Sequence, residues 1–175
     1  MLNRPTLLVA VALLVAATFA RPGQTQGQTD WNAPFPPHKV IELGGETLTA
    51  YRTPGHTKGN TSWWLEVQED GRTYNALIVG SFGVNANYRL VNNPYYPNQA
   101  QDYMAMFTRV RSLPVDVFLG SHGRFYGLAE KYERLKTRKA GEPNPFVDHA
   151  GYLAHIDLQE GNFQKMLAEQ TAAAR

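Results

Sequence analysis

The order of hydrophobic periodicities predicts an α/β (α+β) fold in which a mixed sheet carries helices on one face. Three short β-prone runs follow one another between residues 47 and 79, and an amphipathic helical stretch occupies 98–112. One more buried strand then leads into two further helical segments, so the chain amounts to a layer and a half of a sandwich.

Before the folded part, Met1 to Arg4 form a short basic start, and Thr6 to Phe19 form an apolar run rich in Leu, Val and Ala. The run ends in the small-x-small pattern Thr18-Phe19-Ala20. Residues 1–20 therefore read as a cleavable export leader, too short to span a membrane, and a periplasmic or secreted location is expected. Residues 21–40, rich in Gln, Gly, Thr and Pro, read as an extended mature N-terminus; His38 follows Pro36-Pro37 and is expected to be exposed.

Thr47 to Arg52, Thr61 to Val67 and Tyr74 to Val79 combine β-branched and aromatic residues between turn signals, which predicts three strands. Glu69-Asp70-Gly71-Arg72 supplies a hairpin turn, and Trp63 and Trp64 point to opposite faces of their strand. In Asn98 to Ser112, Tyr103, Met106, Phe107 and Val110 recur at spacings of three and four, the stripe of a helix that Pro114 ends. Val115 to Leu119 reads as a buried strand, Leu128 to Lys139 as a helix with Leu128, Tyr132 and Leu135 aligned, and about Tyr152 to Gln170 as a last helix.

With 175 residues, 43% of them hydrophobic and 18% charged, the chain suits a single globular domain. The absence of cysteine removes disulfides, thiolate nucleophiles and thiolate metal ligands together. A formal charge of +2, with scattered Lys and Arg, leaves no nucleic-acid footprint but is compatible with a small anionic substrate.

Two imidazoles stand out. His56 lies in Thr53-Pro54-Gly55-His56-Thr57-Lys58-Gly59 and His122 in Gly120-Ser121-His122-Gly123, each in a small-residue turn after β-prone sequence. A neutral imidazole suits zinc, and glycine lets the backbone approach an ion closely, but catalytic zinc normally takes three protein ligands. Taken alone, such a histidine is also compatible with an exposed or backbone-bonded ring. His149 and His155 do not share a helical face and read as surface or packing residues; Asp102 and Glu130 read as helix-surface charges.

Thr53-Pro54-Gly55-His56-Thr57-Lys58-Gly59-Asn60-Thr61-Ser62 resembles the third metal-binding motif of the metallo-β-lactamase superfamily. Gly80-Ser81-Phe82-Gly83-Val84-Asn85, Leu90 to Pro94, Gly120-Ser121-His122 and Pro143 to Asp148 are similar to the third subclass of class B β-lactamases. The resemblance runs from about Ile41 to the C-terminus, making residues 41–175 the C-terminal half of an αβ/βα sandwich. It implies a zinc-dependent hydrolase in which metal-bound hydroxide opens the β-lactam amide. His56 then matches a ligand of the first zinc and His122 a ligand of the second. Ser81 matches the serine that bonds metal-bound water, and Asn85 sits where the substrate carboxylate is met. Read from the residues alone, Ser81 is equally a turn serine and Asn85 a loop residue placed for left-handed geometry.

The chain departs from the family in lacking the His-x-His-x-Asp-His motif, which supplies four of six ligands. The seam falls near Val40 to Glu42, where a stretch on the order of a hundred residues is missing relative to the family. The family's disulfide partners would fall at about Val115 and Tyr152, and neither is Cys. Zinc binding is accordingly expected to be weak at most, and hydrolysis impaired or lost. A sheet face robbed of its covering layer, with Leu65, Leu77, Val79 and Phe118 as candidates, would favour self-association. Alternatives are a lactonase or thioester hydrolase of the same superfamily, which Ser81 disfavours, and a non-catalytic zinc- or partner-binding pseudo-enzyme.

Overall fold

The computed structural model describes residues 38–175, so the leader at 1–20 and most of the extended segment at 21–40 lie outside the described residues. Strands β1 (His38–Leu43), β2 (Glu46–Arg52), β3 (Thr61–Glu69) and β4 (Arg72–Val79) pair antiparallel in chain order, and β5 (Val117–Gly120) joins β4 in parallel. Three helices follow the meander: α1 (Gln99–Arg111) between β4 and β5, then α2 (Leu128–Thr137) and α3 (His149–Ala173).

The β3–β4 hairpin closes through Asp70 and Gly71 at φ 51° and 76°, the left-handed pair that matches the twist of two-residue hairpins. Gly44 and Gly45, at φ 61° and 87°, close β1 onto β2 in the same way. Strand β1 goes beyond the three strands expected ahead of the first helix, and Val40 to Glu42, where the sequence suggests the seam, lies within it.

One core forms between the sheet and helices α1 and α3. From α1 come Tyr103, Met106, Phe107 and Val110, as their spacing predicts; from α3 come Tyr152, Ile156 and Phe163. Tyr103 lies 5.0 Å from Phe163 and 6.1 Å from Phe107 between ring centroids, an aromatic cluster that pins the two helices together. Each such ring gains about 1.5–3 kcal/mol on burial. The Tyr152 hydroxyl donates to the Val110 carbonyl at 2.7 Å, satisfying its one polar atom inside that core.

Strand parity corrects the expectation for the uncovered face. Leu77 and Val79 of β4 and Phe118 of β5 belong to the core under the helices, with Trp64 of β3 packed against it. Only Leu65 lies on the opposite face, where it pairs with Ala76, one residue out of phase with Leu77, and both are buried rather than uncovered. That second face carries Leu48, Ala50, Trp63, Leu65, Val67, Tyr74, Ala76, Ile78, Val117 and Leu119.

Helix α2 is present where expected, but its apolar stripe is not its buried side. Leu128 and Tyr132 remain exposed, and Lys131 is the residue it buries. The Lys131 ammonium meets the Asp148 carboxylate at 2.8 Å. Asp148 also caps α3 by accepting the Gly151 N–H at 2.8 Å. Burial pushes the Asp148 carboxyl up, but Lys131 and the Gly151 amide outweigh it and hold the group below its usual range.

Candidate metal-binding edge

Because β2 and β4 are each antiparallel to β3, and β5 is parallel to β4, the C-terminal ends of β2, β4 and β5 lie at one edge of the sheet. His56 follows β2, Ser81 and Asn85 follow β4, and His122 follows β5. All four residues singled out in the sequence therefore sit on loops of that edge.

The loop bearing His56 is closed on itself and tied to its neighbour. The Thr53 amide donates to the Asn60 carbonyl at 2.9 Å. Asn60 Nδ2 reaches the Thr53 carbonyl at 2.6 Å and the Ser81 carbonyl at 2.8 Å, bridging the ends of β2 and β4. Gly55, at φ 131°, lies against the Tyr103 ring, where a Cβ would come within 2.8 Å of ring carbons, so only glycine fits. Buried Gln99 donates from Nε2 to the Gly55 carbonyl at 2.9 Å.

His56 is oriented by what it touches. Its Nδ1 lies 2.8 Å from the Gly83 carbonyl, which can only accept, so Nδ1 carries the proton and Nε2 keeps its lone pair. The same carbonyl accepts from the Tyr103 hydroxyl at 2.7 Å. The Tyr88 hydroxyl donates to the His56 carbonyl at 2.8 Å, and the two rings lie 5.6 Å apart. Burial raises the pKa of both phenols above the ordinary tyrosine value, keeping them donors; a hydrogen bond from Asn85 partly offsets the shift at Tyr88. This is the outer-shell support that metal-binding histidines commonly have.

Ser81 is half-buried and enters this network through its backbone carbonyl, whereas Asn85 is exposed and accepts the Tyr88 amide at 2.9 Å. His122 is exposed in an extended conformation (φ −129°, ψ 130°) at the start of a short 3-10 turn, its ring edge-on to Phe125 at 5.1 Å. The Ser121 hydroxyl donates to the Gly80 carbonyl at 3.0 Å, joining the ends of β5 and β4. Behind Phe125 lies His155, 8% exposed, its ring 5.0–6.0 Å from those of Phe82, Phe118 and Phe125. Its Nε2 has no hydrogen-bond partner, and burial lowers its pKa to about 4, so it is neutral.

Beside His56 opens a cavity of about 400 Å³, walled by Tyr88, Arg89, Asn93, Tyr95, Tyr96 and Gln99 among others. The supporting residues Asn60, Tyr88, Gln99 and Tyr103 were not singled out as site residues by sequence. Gln99, a polar residue on the buried face of an otherwise apolar helix stripe, carried the one usable signal.

The donor set itself is incomplete. Among the described residues no group of three or more His, Cys, Asp or Glu side chains could hold a metal ion. His56 and His122 alone do not fit the three-ligand requirement of catalytic zinc.

No protein-family model matches the sequence. Solved structures do match. The native FEZ-1 metallo-β-lactamase from Legionella gormanii is 41% identical with a TM-score of 0.72, the match covering 76% of this chain and 50% of that one. BJP-1, a subclass B3 metallo-β-lactamase of Bradyrhizobium japonicum, is 36% identical with a TM-score of 0.70, covering 78% of this chain and 50% of that one. A class B3 di-zinc metallo-β-lactamase, LRA-12, from an Alaskan soil metagenome is 26% identical with a TM-score of 0.63, covering 73% and 47%. The chain spans about half the length of the solved relatives it matches.

Proposed function

The chain belongs to the subclass B3 metallo-β-lactamase family, and we propose that it is a catalytically impaired member, retaining one edge of a β-lactam-hydrolysing site. The observation that carries this reading is the convergence of His56, Ser81 and His122 at one sheet edge, with Nε2 of His56 left free for a ligand. In the family, zinc supplies the hydroxide that opens the β-lactam amide of antibiotics and so confers resistance. Two imidazoles with no third donor among the described residues do not make such a centre, so weak metal binding and little or no turnover are expected.

The neighbouring cavity, with Arg89 among polar and phenolic neighbours, suits a small carboxylate such as a β-lactam. Ser81 and Asn85, on the loop after β4, are carried over from the family resemblance as polar contacts of the substrate, although neither lines that cavity. The location is periplasmic or secreted, by the leader; among the described residues no helix is long and apolar enough to cross a membrane. A non-catalytic partner-binding role is the second reading, favoured by the incomplete donor set and by the apolar sheet face opposite the helices.

Hydrolysis of a chromogenic cephalosporin, measured with zinc and with chelator while bound metal is counted, tests the assignment. No turnover with substoichiometric zinc is expected. Zinc-dependent turnover with two tightly held ions per chain would overturn the impairment.

A further inference from the structure

We infer that the cavity beside His56 is a binding site for an acidic saccharide, a sugar ring that carries a carboxylate. The inference rests on the reading of that cavity as a carboxylate site, but not on metal or β-lactam chemistry. Its volume of about 400 Å³ lies within the range of small-ligand clefts, yet its wall lacks their usual aliphatic lining. Among the described residues that line it there is no Leu, Ile, Val or Met, and no carboxylate. Tyrosine rings, primary amides and one guanidinium take their place.

The floor of the cavity is fixed and its rim is free. Asn93 Oδ1 accepts the backbone N–H groups of Tyr95 and Tyr96 at 3.0 and 3.1 Å, and Asn93 Nδ2 donates to Gln99 Oε1 at 3.0 Å. The Tyr96 hydroxyl donates to Asp102, and the Tyr88 hydroxyl to the His56 carbonyl at 2.8 Å. These bonds hold the loop so that Tyr95 stands 87% exposed, a large ring presented to solvent. Arg89 donates from Nε to the Val91 carbonyl at 3.2 Å, and its two terminal nitrogens have no partner among the described residues. The Asn87 amide likewise has none.

An acidic sugar matches each free group. The C–H face of its ring covers the Tyr95 ring, as apolar surface does on an aromatic platform. Asn87 both donates and accepts, as a hydroxyl does, and the terminal nitrogens of Arg89 suit a carboxylate in the two-pronged manner. The Lys58 ammonium, 5.4 Å over the Tyr96 ring, adds positive potential that no lining carboxylate opposes. A purely apolar ligand would leave the amide and the guanidinium without partners, which costs affinity.

The test is titration of the purified chain in the presence of chelator, by calorimetry and ligand-observed NMR, with glucuronic acid, glucose and benzylpenicillin as probes. Glucuronic acid should bind about ten-fold more tightly than glucose, which lacks the carboxylate. Tyr95→Ala should weaken glucuronic acid about ten-fold, and Arg89→Met should abolish the preference for the acid over the neutral sugar. Tyr132→Ala, at a 51% exposed position on α2 outside the cavity, should leave binding unchanged. Tyr95, Arg89 and Tyr132 are all exposed, and circular dichroism checks that each variant keeps its fold. Absence of glucuronic acid binding by the wild type overturns the inference, as does binding indifferent to both Tyr95→Ala and Arg89→Met. Benzylpenicillin bound through Arg89 with neither sugar bound also overturns it, and leaves the β-lactam reading of the cavity standing. Cephalosporin turnover is a separate readout and does not bear on these outcomes.

Discussion

The Nδ1 atom of His56 lies 2.8 Å from the carbonyl oxygen of Gly83, twenty-seven residues away in sequence, and this contact fixes which ring nitrogen can bind a metal. The loop after β4 thereby sets the tautomer of a residue carried by the loop after β2.

His56 should accordingly be observed as the Nδ1–H tautomer by nitrogen-15 NMR of the ring at pH 8. An Nε2–H ring would contradict the arrangement. If Nε2 and His122 act on a shared ion, His56→Ala and His122→Ala should each lower zinc affinity several-fold in equilibrium dialysis, and unchanged affinity in both would refute a half-site.

Gly55→Ala is expected to destabilise the protein by about 1–3 kcal/mol, through a strained backbone conformation and a clash that moves the Tyr103 ring. The denaturant midpoint measures it. A neutral substitution would show that the ring yields without cost.

His155 makes stability depend on pH. Its pKa is lowered from 6.5 to about 4 by burial, so the unfolded chain binds a proton that the folded chain refuses. Its contribution is therefore complete above about pH 6.5 and is lost as the pH falls toward about 4. His155→Phe, which fills the aromatic nest without an orphaned nitrogen, should make the thermal midpoint less sensitive to pH across that window. An unchanged pH slope would assign the acid sensitivity to other groups.

Lys131→Met should cost about 1–3 kcal/mol, because it strips the partner from Asp148, whose side chain is about one-third exposed and so partly rescued by water. The destabilisation should shrink in Lys131→Met combined with Asp148→Asn, since the amide needs no cation. Equal losses in the single and double variants would show that the ion pair is not the cause.

Features fixed by neighbours in the chain were legible in the sequence. The Asp70-Gly71 hairpin follows from two residues that tolerate positive φ, and the α1 stripe of Tyr103, Met106, Phe107 and Val110 from helical spacing. The strings around His56, Ser81 and His122 identified the family, and the topology brings them to one edge. Strand β1 was less legible, although Gly44-Gly45 between two extended runs was its signal.

What escaped the sequence depends on partners far along the chain. The bonds from Tyr103 and His56 to one carbonyl of Gly83 join segments that only folding brings together. The burial of Lys131 in place of Leu128 and Tyr132 follows from where Asp148 arrives at the start of α3. By itself the sequence determined that Leu77 and Val79 share one side of β4 and Ala76 and Ile78 the other, because alternation along a strand is local. Only the tertiary structure decided which side meets the helices, because that is set by the hand of the crossover from β4 through α1 to β5, which no residue encodes alone.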